Sequence, residues 1–116
     1  MTFATSSEVF LLDATGLTIT LRNYQIAGVT SITASVDKIV AAKINENEIV
    51  LTLIDKTFVG TPVSLTMNRA IENSPVIRIG LASDQSNDLV AMCSFTPDDT
   101  IGSVYFDVID TSYIFF

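Results

Sequence analysis

Leu17-Thr18-Ile19-Thr20-Leu21-Arg22 places an apolar residue at every second position. A β-strand sends successive side chains to opposite faces, so Leu17, Ile19 and Leu21 share one face and Thr18, Thr20 and Arg22 the other. A helix would scatter the same residues around its circumference. Working outward from this segment, the rhythm recurs along the chain. Ile32, Ala34 and Val36 alternate with Thr33, Ser35 and Asp37, and Val63, Leu65 and Met67 alternate with Ser64, Thr66 and Asn68. Ile77, Ile79 and Leu81 stand opposite Arg78 and Gly80, while Val104, Phe106 and Val108 alternate with Tyr105, Asp107 and Ile109. Each pattern is expected to lay one row on a core and turn the other outward.

Turn-forming residues separate the runs: Asp13-Ala14-Thr15-Gly16, Asn45-Glu46-Asn47-Glu48, Asp84-Gln85-Ser86-Asn87-Asp88 and Pro97-Asp98-Asp99. These residue types tolerate positive φ or bond their own backbone. The window from Thr30 to Ile44 is ambiguous, because Asp37-Lys38-Ile39-Val40-Ala41-Ala42-Lys43-Ile44 has room for two helical turns. Its β-branched content favours strand. Two segments break the one-sided rule. Ile49-Val50-Leu51-Thr52-Leu53-Ile54 and Leu89 to Phe95 are apolar on both faces, as strands are when covered on both sides or facing another subunit. Short strands with regular punctuation predict an all-β fold, an antiparallel β-sandwich of Ig-like or jelly-roll type with about eight strands. Residues 1–116 are read as a single domain.

Composition narrows the chemistry. The 116 residues include no His, no Trp and one Cys, with 48% hydrophobic and 16% charged residues. Soluble domains average about 25% charged residues. A surface poor in charge suits either a Thr- and Ser-rich sandwich or a subunit that covers itself with partners. The net charge is −7, and the six basic residues Arg22, Lys38, Lys43, Lys56, Arg69 and Arg78 are scattered. Phosphate binding needs clustered cations, so nucleic acid is not expected as a partner. An acidic chain is equally ill suited to anionic membranes.

Without His, a Ser or Cys nucleophile lacks its usual base and a zinc site lacks its usual ligands. Cys93 lies in Leu89-Val90-Ala91-Met92-Cys93-Ser94-Phe95 and is expected to be a small buried hydrophobe, as free cysteines commonly are. A lone Cys forms no internal disulfide, which suits a reducing compartment. The acidic loops at Asp84, Asp88, Asp98 and Asp99 offer oxygen ligands of the kind calcium takes, but the spaced ligand pattern of a calcium loop is missing. No catalytic residue, cofactor or metal is therefore assigned, and a non-enzymatic role is expected. MTFATSSEVF shows no basic region followed by an apolar one, so no signal peptide is expected.

The end of the chain, Ser112-Tyr113-Ile114-Phe115-Phe116, is the most suggestive segment, since termini are usually polar unless tied down. It reads either as a last strand in its own sheet or as a tail docked on a neighbour. Tyr113, Ile114, Phe115 and Phe116 are expected at an interface, together with Val50 and Ile54 from the two-sided strand.

The stretches Ile32–Asp37, Glu48–Asp55 and Val59–Thr66 resemble bacterial Ig-like domains of the invasin and intimin type. In that family a TAS strand precedes a TVTLTVKD strand, and a G-x-P-V turn opens the next. The chain departs from the family after Asp55, where Lys56-Thr57-Phe58 replaces an Asp-x-x-Gly turn, and it lacks tandem copies. As a small, acidic, cysteine-poor all-β chain it also resembles bacteriophage virion proteins in type. That resemblance implies a structural subunit of a symmetric assembly, in the form of a head decoration or cement protein. A homo-oligomer, a trimer above all, would then sit on other virion proteins such as a major capsid protein, made in the host cytoplasm and located in the virion. A tail or neck subunit, or an Ig-like adhesion or carbohydrate-binding module, is the alternative.

Overall fold

The computed structural model of the chain describes residues 2–15, 18–35, 37–45, 48–57, 60–68, 78–84, 88–96 and 103–114. These form ten strands and no helix: β1 (Thr2–Ala4), β2 (Glu8–Thr15), β3 (Thr18–Gln25), β4 (Val29–Ala34), β5 (Lys38–Asn45), β6 (Glu48–Asp55), β7 (Val63–Asn68), β8 (Arg78–Asp84), β9 (Leu89–Thr96) and β10 (Ser103–Asp110). They make three antiparallel sheets, in the orders β1-β2-β3, β4-β5-β6-β7 and β10-β9-β8. The fold is thus all-β, with sheets packed face to face as in a sandwich. Ten strands are described where about eight were expected, and they are shared among three sheets rather than two. Strand order follows chain order in every sheet, which differs from the Greek-key exchange of strands in Ig-like and jelly-roll topologies.

The four-stranded sheet lies in the middle because β5 and β6 are apolar on both faces. Val40, Ala42, Ile49, Leu51 and Leu53 form one face and are buried against Val90 and Met92 of β9. Ile39, Ala41 and Ile54 form the other and are buried against Val9 of β2. The two-sided run Ile49–Ile54 is therefore covered by two sheets of its own chain. Burying each Leu or Ile is worth about 1.5–3 kcal/mol, and these two strands hold most of the fully buried side chains among the described residues. The stretch that had room for helical turns is β5, held between β4 and β6 in unbroken register from Lys38↔Asp55 to Asn45↔Glu48.

One edge of the middle sheet is stitched to the β8–β10 sheet by side chains. The Ser31 hydroxyl accepts a bond from the Leu81 N–H at 3.2 Å, and the Thr33 hydroxyl donates to Ser83 Oγ at 3.0 Å. Ser83 in turn donates to the Ala34 carbonyl. The opposite outer sheet is carried differently. β2 buries Val9, whereas Ile19, Leu21, Arg22, Asn23, Tyr24 and Gln25 of β3 are all exposed. β3 is the last strand of its sheet, and Arg22 Nη1 reaches the body by donating to the Lys56 carbonyl at 3.3 Å.

Candidate interaction surface

The alternation in β10 is real, but its apolar row faces outward. Val104, Phe106 and Val108 are 65%, 70% and 62% exposed. Ile109, from the other row, packs against the core. The cause is register, because a one-residue slip exchanges the two faces of a strand. Asp88 adopts a left-handed φ of 53°, a conformation Asp tolerates better than most residues. Its carbonyl accepts both the N–H and the hydroxyl of Thr111, each at 2.8 Å. This clasp accompanies the pairing Asp110↔Leu89 and, counting along the ladder, Val108↔Ala91 and Phe106↔Cys93. Met92 faces the core, so Phe106 and Cys93 face away from it.

The resulting outer face carries bulky residues on β10 and small ones beside them. Gly80 and Ala82 of β8 lie level with Cys93 and Ala91 of β9. Gly80, Leu81, Ala82, Ala91, Cys93 and Phe106 line an open depression of about 260 Å³. A Cβ added at Gly80 would meet nothing within 4 Å, so this glycine keeps the floor low. Cys93, expected in the core, is exposed on this face, because it is the alternate residue to Met92. Among the described residues, those that line the depression are small or apolar. What it offers is apolar area.

A polar group stands at the junction of the middle sheet and β9. Lys38 is buried, its Nζ 3.0 Å from Asp37 Oδ1 and 3.8 Å from Asp88 Oδ1. Desolvation pushes the Asp37 carboxyl up, but the hydrogen bond and charge of Lys38 outweigh it and hold the group below its ordinary value of 3.8. At the chain end, the hydroxyl and N–H of Ser112 bond Asp110 Oδ1 and hold that carboxyl low as well.

The expected interface residues separate. Tyr113 is 77% exposed. Ile114 packs against the core of its own chain, its N–H bonded to the Thr111 carbonyl at 3.1 Å. Phe115 and Phe116 lie outside the described residues. Val50 is half-buried, level with Lys43 and Thr66. Ile54 is only 2% exposed and meets Val9, so it is not at a surface; the first sheet covers the end of β6 where it lies. Among the acidic loop residues, Asp88 serves the Thr111 clasp and Lys38, while Asp98 and Asp99 lie outside the described residues. No group of three or more potential metal ligands gathers among the described residues. Sequence reasoning missed Val104, Phe106 and Val108 because alternation gives the two faces and not which of them is inward.

The chain matches no family model, no curated protein and no solved structure.

Proposed function

We propose that this protein is a non-enzymatic structural subunit of a symmetric homo-oligomeric assembly, in the form of a bacteriophage head decoration or cement protein. The observation that carries this reading is the outward row Val104, Phe106 and Val108 beside the floor of Gly80, Ala82 and Ala91. Contiguous apolar area of this kind marks contact sites rather than solvent-facing surface. Each of the three bulky side chains contributes about 1.5–3 kcal/mol when a neighbour covers it. The neighbour is another copy or an underlying shell protein, and repetition around a closed shell multiplies modest contacts. The low share of charged residues and the absence of His fit the same role.

Native mass spectrometry of the full chain, with Phe106→Lys beside it, tests the reading. An oligomer is expected for the natural sequence and a smaller species for the variant. Cys93 serves as a reporter, slow to alkylate in the oligomer and fast in the variant. A natural chain that stays monomeric at all concentrations, binds no shell protein and leaves Cys93 open to alkylation would falsify it.

A further inference from the structure

Lys38 opens β5, and its side chain is only 4% exposed. An ammonium sealed from water needs partners for its three donors. Among the described residues it makes one hydrogen bond, to Asp37 Oδ1 at 3.0 Å. Asp88 Oδ1 stands 3.8 Å from the same nitrogen, beyond hydrogen-bond distance, and this buried oxygen has no hydrogen-bond partner of its own. A donor short of acceptors thus faces an acceptor without a donor, close but unbonded. As an ion pair the arrangement is poorly satisfied, because it desolvates charge without completing the bonds that would offset the cost.

The three groups are also held in place. The Asp88 backbone is fixed through its carbonyl by the N–H and hydroxyl of Thr111. The Lys38 carbonyl accepts the Ser35 N–H at 2.9 Å, and the Asp37 carbonyl accepts the Lys56 N–H at 3.0 Å. Asp37 Oδ1 takes the Ser35 hydroxyl at 3.5 Å besides the Lys38 ammonium. Against desolvation, bonds from Lys38 and from Asp88 hold the Asp37 carboxyl low, so Asp37 touches both of the other groups. An amine, a carboxyl and a carboxylate that reaches both are the parts of an amide-forming site.

We propose that the Lys38 and Asp88 side chains condense to an amide, a covalent tie between β5 and the turn that opens β9. Nζ bonds to Asp88 Cγ, a Cγ–O bond breaks, and two of the three ammonium protons leave with that oxygen as water. Asp37 takes the first proton from Nζ, so that a free amine attacks, and passes it to the departing oxygen. It ends ionised, as it began. One positive and one negative charge vanish together, so the net charge of the chain stays at −7 and no co-reactant is needed. Holding the two groups in contact raises their effective concentration, and burial keeps water from reversing the step. The product meets the unmet bonds: it leaves one N–H, directed at Asp37, and no buried charge on either side chain. The step is slow beside folding, because the amine must first be freed from its ammonium form. A freshly folded chain therefore holds the ion pair and an aged one the amide. The tie is independent of what the β8–β10 face meets, and it fastens the sheet that carries that face to the middle sheet.

The test is the intact mass of the full chain, taken at intervals after folding at neutral pH. The natural chain is expected to become lighter by one water molecule, and a digest should join the peptide of Lys38 to that of Asp88. The same chain kept in denaturant should hold its full mass. Lys38→Arg keeps the charge but removes the primary amine, and it should also stay at full mass. Asp88→Asn offers a carboxamide to the same amine and should lose ammonia in place of water. In the natural chain the melting temperature should rise with the lighter fraction, because the tie restrains the unfolded chain across residues 38–88. A natural chain still at full mass after a week in the folded state would overturn the proposal. So would loss of water in Lys38→Arg, which would put the dehydration at an aspartate alone.

Discussion

Lys38 is buried among apolar strands with two carboxylates for company, Asp37 mostly exposed and Asp88 half-buried. Removing one partner of such a group costs more than the pair is worth, because the remaining charge stays desolvated. Asp37→Asn is therefore expected to lower the melting temperature at neutral pH. The folded carboxyl sits below its ordinary value of 3.8, so its contribution is present above that pH and fades as pH falls through the folded value. Melting curves of the two proteins should accordingly converge in acid. A gap of constant size down to the lowest pH would show that Asp37 acts through packing and not charge. At this scale the sequence was only partly legible. Cys93 sits in an apolar run and reads as buried, yet the pleat gives Met92 the core and Cys93 the surface. Ile54 reads as a surface anchor because its strand is apolar on both sides, and the covering sheet comes from residues far away in the chain.

Among the elements, β6 and β10 make an instructive pair. Both show bulky apolar residues in a strand, but Leu53 is wholly enclosed and Val108 is open. Leu53→Ala should cost about 2–5 kcal/mol in denaturant unfolding, the usual range for a large core truncation. Val108→Ala should stay within about 0.5 kcal/mol, as surface substitutions do. Comparable losses at the two sites would mean that β10 uses the other face. The strands themselves were readable from period two, and so were the covered faces of β6. The inward side of β10 was not, because it is fixed by the register with β9, which has no periodic signature in β10 itself. β3 shows the same gap between pattern and packing: its alternation is among the cleanest in the chain, yet its apolar row is exposed.

At the scale of the whole molecule, three stacked layers extend over 54 × 28 × 23 Å, with apolar side chains left on the outer sheets at both ends of the stack. The chain end divides between a packed residue, Ile114, and an exposed one, Tyr113. Ile114→Ala should lower stability by about 2 kcal/mol or more, since it removes a side chain packed on the core, whereas Tyr113→Ser should leave the melting temperature unchanged. Equal melting temperatures for the two variants would show that the tail does not divide in this way. The third layer escaped sequence reading because nothing in the alternation says how many sheets share a set of strands.

The order of strands has a consequence for how this protein is made. Every sheet is a meander of neighbours in the chain, β1 to β3, β4 to β7 and β8 to β10. Pairing partners are thus close in sequence, which lowers the entropy of loop closure and speeds folding relative to crossed β topologies. During synthesis the first sheet can pair as soon as β3 has left the ribosome, and the middle sheet as soon as β7 has. The face of the middle sheet that β9 covers waits for the last forty or so residues. A nascent chain halted before β8 would expose Val40, Leu51 and Leu53 to solvent, and chaperone capture is expected to be strongest at that length.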